Sequence, residues 1–272
     1  MTRLYYRTIQ LVKSYGAPVT AEPKKYYRIA SLERGLKILD LLSSLGHASL
    51  SEIAEHLGMD RSSCHRALLT MRDLGFVSQD QNTGFGLSLK VFEMAMRFAD
   101  RLEVRKLVRP LMESLRDRHQ ETVNLGMLEG DHVVYLDRCE SSEVVRADLA
   151  VGMRIPLHCT ALGKAILAEL PLPRCQEMVE RIEFRPYTDA TLTDPWRLMV
   201  ELERVRRKGV AFDREELYPG LRCVAVALPA GAGGRFLALS VAGPGSRMSE
   251  EKMIHIGEEL LEIRRRVKQR QL

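Results

Sequence analysis

The sequence predicts an α+β chain made of two unlike parts. Residues 49–76, SLSEIAEHLGMDRSSCHRALLTMRDLGF, hold two short helical patterns joined by a tight turn, and a hairpin pattern follows. From Thr122 onward, strand patterns come first, helical patterns occupy the middle, and strand patterns return before a closing helix. That order is typical of an antiparallel sheet with helices packed beside it.

The first part opens with residues 1–27, which show no sustained hydrophobic period and are interpreted as a flexible extension. A helix is predicted from Ser31 to the residue before Gly46. Its expected inward face consists of Leu32, Leu36, Leu39 and Leu42.

Two capping signals define the helical pair that follows. Ser49 and Glu52 have the spacing of a capping box, and Gly58 suits a left-handed helix end. Asp60 is a good cap for the second helix. In that helix the residues predicted to pack inward are Cys64, Ala67, Leu68, Met71 and Leu74.

The side chains left facing outward on the second helix are short, polar or cationic, as in a helix that reads DNA. They are Arg61, Ser62, Ser63, His65, Arg66 and Thr70. Residues 76–79 and 85–89 read as strands around the turn 80–84, so a wing is predicted, with Asn82 and Thr83 at its tip. The alternatives are an ordinary helical hairpin with solvated charges and a plain exposed turn.

The second part begins with a helical pattern from Val91 to His119, interrupted at Pro110, where a helix is expected to end, start or kink. Val91, Met94, Ala95 and Phe98 form an apolar face suited to packing against a second copy. Beyond it, strands are predicted at 122–128, 132–138, 144–150, 222–229 and 236–243, and helices at 161–170, 174–182, 194–208 and 249–266. The predicted organisation is an extension (1–27), a DNA-binding domain (28–90), a linker helix (91–103) and a C-terminal domain (104–272).

Charge and composition narrow the class of protein. The net charge is +5, and residues 1–90 hold 12 Lys and Arg against 8 Asp and Glu, whereas residues 91–272 hold 29 against 28. The basic excess therefore accompanies the predicted DNA-binding domain. No apolar run is long enough for a membrane span, and the five cysteines contain no CxxC pair, so a cytoplasmic protein with reduced thiols is expected.

Four stretches resemble the IclR-type bacterial transcription regulators. They are SLERGLKILDLL (31–42), the helix pair through LGF (74–76), IPLHCTALGKAILA (155–168) and DREELYPGLRCVAVALP (213–229). Phe85-Gly86-Leu87-Ser88 departs from the family's usual Tyr followed by Leu-Gly. The resemblance implies a winged helix-turn-helix, a linker helix and a GAF-like domain that binds a small effector, assembled as a dimer or a dimer of dimers.

The resemblance also implies the residues of an effector pocket. Carried onto this sequence, they are Ala161, Leu162, Asp213, Leu221, Cys223, Ser240 and Ala242. Free amides at a helix start near Ala161 favour an anion, so a small organic acid is the expected effector. Asp213 repels an acid unless it is protonated or accepts a hydroxyl, which favours a hydroxylated or keto acid. Ordinary burial of the cysteines, and a mere charged turn at 213–216, are the alternatives.

The expected function is an operator-binding regulator whose DNA affinity responds to the effector, with repression favoured over activation. No cofactor is expected. A zinc site formed by His158, Cys159, Asp213 and Cys223, or a redox sensor using Cys159 and Cys223, is the alternative. An enzyme is the other rival class, and it is not expected, because the chain carries no hydrolase, zinc-protease, P-loop or dinucleotide-binding motif.

Overall fold

The computed structural model describes residues 29–80, 84–147, 150–229 and 235–270. The chain divides into two units between Met94 and Ala95. The predicted extension 1–27 and the predicted wing-tip residues Asn82 and Thr83 lie outside the described residues.

The first unit contains three helices and a small sheet. The elements are α1 (Ala30–Leu45), β1 (His47–Ala48), α2 (Leu50–Leu57), α3 (Arg61–Asp73), β2 (Val77–Asp80) and β3 (Gly84–Leu87), followed by the start of α4 (Leu89–Asp100). The sheet has the antiparallel order β1-β3-β2. Its core includes Ile38, Leu42, Ile53, Cys64 and Leu68, each at most 1% exposed. This arrangement is the winged helix-turn-helix that the sequence predicts.

For three residues of this unit, the predicted inward orientation is wrong. Leu32, Leu36 and Leu74 are each 58% exposed, and they border an open groove of about 640 Å³ between α1 and α3. The reason is that α1 carries more leucines than one face can bury, and the face that packs inward is centred on Ile38 and Leu42.

The second unit is built on a six-stranded antiparallel sheet. Its helices are α5 (Glu103–His119), α6 (Ala161–Glu169), α7 (Leu172–Arg181), α8 (Pro195–Lys208) and α9 (Glu250–Arg270). Its strands are β4 (Thr122–Glu129), β5 (His132–Cys139), β6 (Arg154–Pro156), β7 (Ala211–Arg214), β8 (Leu221–Leu228) and β9 (Leu237–Pro244). Their order is β6-β5-β4-β9-β8-β7, so the earliest and latest strands pair at the centre.

The two faces of this sheet belong to two separate cores. Val123, Leu125 and Val241 pack with residues of α5 and α9 on one face. Tyr135, Cys223 and Ala225 pack with residues of α6, α7 and α8 on the other. All eight residues from Ala161 to Ala168 of α6 are buried, so this short helix fills the second core.

The structure differs from the sequence-based predictions at three places in this unit. Residues 144–147 are not a strand, and Val144 is 93% exposed; the third strand is β6 instead. Pro110 lies inside α5, and the helical break falls between Asp100 and Glu103, because the buried residues Val108, Met112 and Leu115 hold α5 together across the proline. Strand β7 has no counterpart among the predicted elements, and neither has β1 of the first unit.

Candidate functional sites

Helix α3 is positioned by side-chain caps at the turn before it. Ser49 and Glu52 form the predicted capping box on α2, with N···O distances of 2.8 and 3.3 Å. Gly58 adopts the left-handed conformation (φ 59°) that ends α2. The carboxylate of Asp60 then accepts from the Ser63 amide at 2.8 Å and from the Ser62 hydroxyl at 2.7 Å, and these bonds lower its pKa. The cap therefore stays ionised at the start of α3.

The structure divides the six outward residues of α3 into two kinds. Ser62 and Thr70 use their hydroxyls locally, because Ser62 donates to Asp60 and Thr70 donates to the Arg66 carbonyl at 2.8 Å. Arg61 and His65 are exposed and bond to no described residue. Arg66 is also exposed and donates only to the half-buried Ser63 hydroxyl, at 3.3 Å. Three side chains that can donate hydrogen bonds thus project from the first two turns of α3.

A small enclosed cavity lies in the second unit, between the start of α6 and the sheet. It is lined by Tyr135, Ile155, Thr160, Ala161, Leu162, Asp213, Leu217, Tyr218, Leu221, Cys223 and Ser240. Its free volume is about 10 Å³, which is room for about one water molecule. The Thr160 hydroxyl accepts from the Gly163 amide at 3.1 Å, so the amides of Ala161 and Leu162 are the helix-start donors nearest the cavity.

Gly163 allows α6 to begin at this place. A Cβ atom at this position would lie 2.3 Å from the Leu157 carbonyl oxygen and 2.5 Å from the Leu157 Cα. The first turn of α6 therefore packs directly on the backbone that leads into it, which closes one side of the cavity.

Buried charges adjoin the cavity. Lys164, which is 1% exposed, forms an ion pair and hydrogen bond with Glu216. Asp213 is 2% exposed, and its Oδ1 accepts from the Glu216 amide at 2.8 Å. Burial, together with the charge of Glu216, raises the pKa of Asp213 to about 7. Near neutral pH this carboxyl therefore exists in both protonation states, and the protonated form can donate a hydrogen bond.

The turn that covers the cavity is fixed by two threonines. Residue Glu215 has a left-handed backbone (φ 66°), and its side chain bonds to the Gly220 amide at 3.0 Å and to Arg222 at 3.0 Å. Thr188 donates to the Glu215 carbonyl, and Thr191 donates to the Glu216 carbonyl, each at 2.7 Å. Leu217 and Tyr218 are thereby held over the cavity.

The residues of the zinc alternative do not assemble as a metal site. Within 29–80, 84–147, 150–229 and 235–270, no group of three or more His, Cys, Asp or Glu side chains converges as metal ligands do. His158 Nε2 bonds to the Arg185 carbonyl at 3.2 Å. Burial raises the pKa of both Cys159 and Cys223, so each thiol keeps its proton.

Six of the seven expected pocket residues line the cavity. Ala242 does not; it is buried beside the cavity and lies opposite Cys223 in the β8–β9 register. Sequence reasoning missed the lining residues Tyr135, Ile155, Thr160, Leu217 and Tyr218. For Thr160 a signal was available, since a threonine just before a helical pattern is a capping signal.

A winged helix-turn-helix with an exposed cationic helix, followed by an α+β domain with an internal cavity, defines a DNA-binding transcription regulator. Residues 31–81 match the IclR helix-turn-helix domain, and residues 96–269 match the C-terminal domain of the bacterial transcriptional regulator IclR. The chain belongs to the IclR family of bacterial transcriptional regulators, whose members bind operator DNA through the helix-turn-helix domain.

Known relatives match this chain over most of its length and most of their own. The HTH-type transcriptional regulator BhcR of Paracoccus denitrificans is 35% identical over 87% of this chain and 85% of its own. The acetate operon repressor of Salmonella typhimurium is 32% identical over 92% and 91%. The crystal structure of the Thermotoga maritima IclR is 29% identical, has a TM-score of 0.74, and covers 89% of this chain and 99% of its own.

The names of these relatives indicate which of the two rival classes of protein, a regulator or an enzyme, the chain belongs to. The curated relatives are named as transcriptional regulators and repressors, so the chain is a DNA-binding regulator and not an enzyme. In the part of the chain that the structure describes, no helix is long and apolar enough to cross a membrane.

Proposed function

We propose that the chain represses transcription by binding an operator through α3, and that a small organic acid in the α6 cavity changes this affinity. Residues 28–90 are the DNA-binding domain, 91–103 the linker helix and 104–272 the effector domain. The observation that carries the proposal is the exposed set Arg61, His65 and Arg66 on a helix fixed by its cap. Repression is supported by relatives named as repressors.

The proposed DNA contacts follow from the bonding of each side chain. Arg61 and Arg66 reach base edges or phosphates, and His65 contacts either. Ser62, Ser63 and Thr70 approach phosphates, with Ser62 and Thr70 also holding local bonds. Asn82 and Thr83, at the tip of the predicted wing, are proposed to contact the DNA backbone or the minor groove.

A homodimer, or a dimer of dimers, is the proposed assembly. On the apolar face predicted with Val91 and Ala95, helix α4 leaves Met94 47% and Phe98 48% exposed in the single chain. Exposed large apolar side chains on one face of a helix are what packing against a second copy requires.

Arg66→Ala tests the DNA-reading assignment. We expect operator affinity at fixed salt to fall by about 5-fold to about 150-fold, because one good side-chain contact contributes about 1–3 kcal/mol. The measurement is fluorescence anisotropy with a duplex that the wild-type protein selects from a random library. Lys37→Ala is the matched control, since Lys37 is an exposed cation on α1 paired with Glu33. Equal losses in the two variants, or no loss in Arg66→Ala, would contradict the assignment.

The effector assignment is tested by thermal shift of the full chain. Suitable probes are glyoxylate, pyruvate, glycolate and 4-hydroxybenzoate; the last is bound in a solved structure of the same fold. A probe at one hundred times its dissociation constant adds about 2.7 kcal/mol to the free energy of unfolding. An effector must also bind the DNA-competent and DNA-incompetent states unequally, so a probe that shifts Tm is next tested for its effect on operator affinity.

A further inference from the structure

Asn124 on β4 faces the α6 side of the sheet. Its neighbours in sequence, Val123 and Leu125, point into the opposite core with α5 and α9. Across the strands Asn124 lies opposite Ser240 on β9, and Ser240 lines the α6 cavity. Asn124 is therefore on the cavity face, adjacent to a residue of its wall.

The amide of Asn124 is completely buried and has no bonding partner. The residue is 0% exposed, and neither Oδ1 nor Nδ2 forms a hydrogen bond to any of the described residues. Such a group destabilises the fold, and nearly all buried polar side chains in proteins are satisfied. A ligand or a water molecule beside Asn124 would supply the hydrogen-bond partners that the amide lacks.

The surroundings of Asn124 on the α6 side of the sheet are closely packed. Two residues along β4, a Cβ at Gly126 would lie 2.6 Å from Val133 Cγ1 and 3.1 Å from Leu162 Cδ1 of α6. On the other side, the β5 neighbour of Asn124 is Arg138, whose guanidinium is paired with Glu140 at 2.6 Å. Asp213, the acidic residue of the cavity, is on β7, three strands away.

We propose that Asn124 contacts the effector, and that it selects a small acid with a hydroxyl group next to its carboxylate. Asn124 Nδ2 donates to a carboxylate oxygen of the ligand, and Oδ1 accepts from the ligand's hydroxyl. Ser240 supplies a second polar contact. The inference rests on the proposed effector site. Because the free volume is about 10 Å³, the lining must separate for entry, and a two- or three-carbon acid requires the smallest displacement.

Paired probes test this selection in the full chain by isothermal titration. Glycolate carries the hydroxyl, and acetate has the same carbon skeleton without it. We expect the wild-type protein to bind glycolate at least tenfold more tightly than acetate. Asn124→Leu removes both amide groups at similar volume, so it should abolish most of this difference. It should also raise Tm in the absence of ligand, because an unsatisfied polar group is removed.

Two further variants keep the experiment decisive. Asn124→Asp preserves the shape but replaces the donor by a carboxylate oxygen, so glycolate affinity should fall more than tenfold even if the leucine variant does not fold. Met127→Leu, on the same strand but in the opposite core, is the control and should bind as the wild type does. Glycolate and acetate bound equally, or a preference unchanged by either Asn124 substitution, would overturn the role of Asn124 while leaving the effector site standing.

A different result would count against the effector class itself. If the wild-type protein binds none of glycolate, acetate, glyoxylate and pyruvate, both the acid effector and the Asn124 contact are wrong. A crystal structure with glycolate in which the Asn124 amide bonds only to a buried water would overturn the contact alone.

Discussion

Asp213 is the residue whose protonation is expected to control stability near neutral pH. Its pKa is raised from 3.8 to about 7, chiefly by burial and then by the charge of Glu216. Between these two values the native state holds a proton that the unfolded chain has released. Stability from this group is therefore complete below about pH 4 and is lost as the pH rises toward 7.

Asp213→Asn should remove that loss. The asparagine amide keeps an oxygen that can accept from the Glu216 N–H. The Tm of the variant should therefore be close to that of the wild type at pH 4 and a few degrees higher above pH 7. The size of this gain follows because about 1 kcal/mol of unfolding free energy moves the Tm of a domain of this size by about 2–4 °C. Thermal unfolding from pH 4 to 8 measures the difference. Glu177→Gln, at an exposed site on α7, controls for the loss of one carboxyl group. A constant Tm difference across the range would show that Asp213 titrates normally.

At the scale of elements, α5 contains a proline in its interior. Pro110 is exposed and cannot donate to the Lys106 carbonyl one turn earlier. Pro110→Ala supplies that donor, so we expect a gain in the free energy of unfolding of up to about 3 kcal/mol. Chemical denaturation of the wild-type protein, of Pro110→Ala and of the control Lys106→Ala measures the free energy of unfolding. A decrease in stability would mean that α5 depends on a bend at Pro110.

The elements also show what the sequence could reveal. Local signals located α2 and α3 well, because capping at Ser49, Gly58 and Asp60 depends only on neighbouring residues. Short strands such as β7 carry too few residues for a period. The alternating pattern at 144–150 also could not reveal that residues 144–147, as the structure describes them, pair with no strand. The family resemblance supplied Asp213 and Ser240, but Tyr135 and Leu217 reach the cavity only through the tertiary fold.

On the scale of the whole molecule, the excess positive charge is concentrated in the N-terminal part of the sequence. Residues 1–28 carry six basic residues, Arg3, Arg7, Lys13, Lys24, Lys25 and Arg28, against Glu22. Their net charge of +5 equals that of the entire chain, so residues 29–272 are neutral overall.

A chain beginning at Ile29 should consequently bind DNA more weakly and with less dependence on salt. For every phosphate that the shortened chain no longer neutralises, the slope of log K against log salt concentration becomes shallower by about 0.9. Anisotropy titrations from 50 to 200 mM salt, on selected and scrambled duplexes, measure both effects. We expect affinity to fall similarly on the two duplexes, since charge alone does not read sequence. An unchanged slope would mean that residues 1–28 do not engage phosphates.

The pairing of β4 with β9 has a consequence for synthesis of the chain. Thr122 lies opposite Ala242, and these partners are 120 positions apart. The centre of the large sheet therefore cannot close until almost the whole chain has left the ribosome, whereas the helix-turn-helix closes over short distances. Because non-local pairing is slow to form, the DNA-binding unit should fold first, while the nascent C-terminal strands still depend on chaperones.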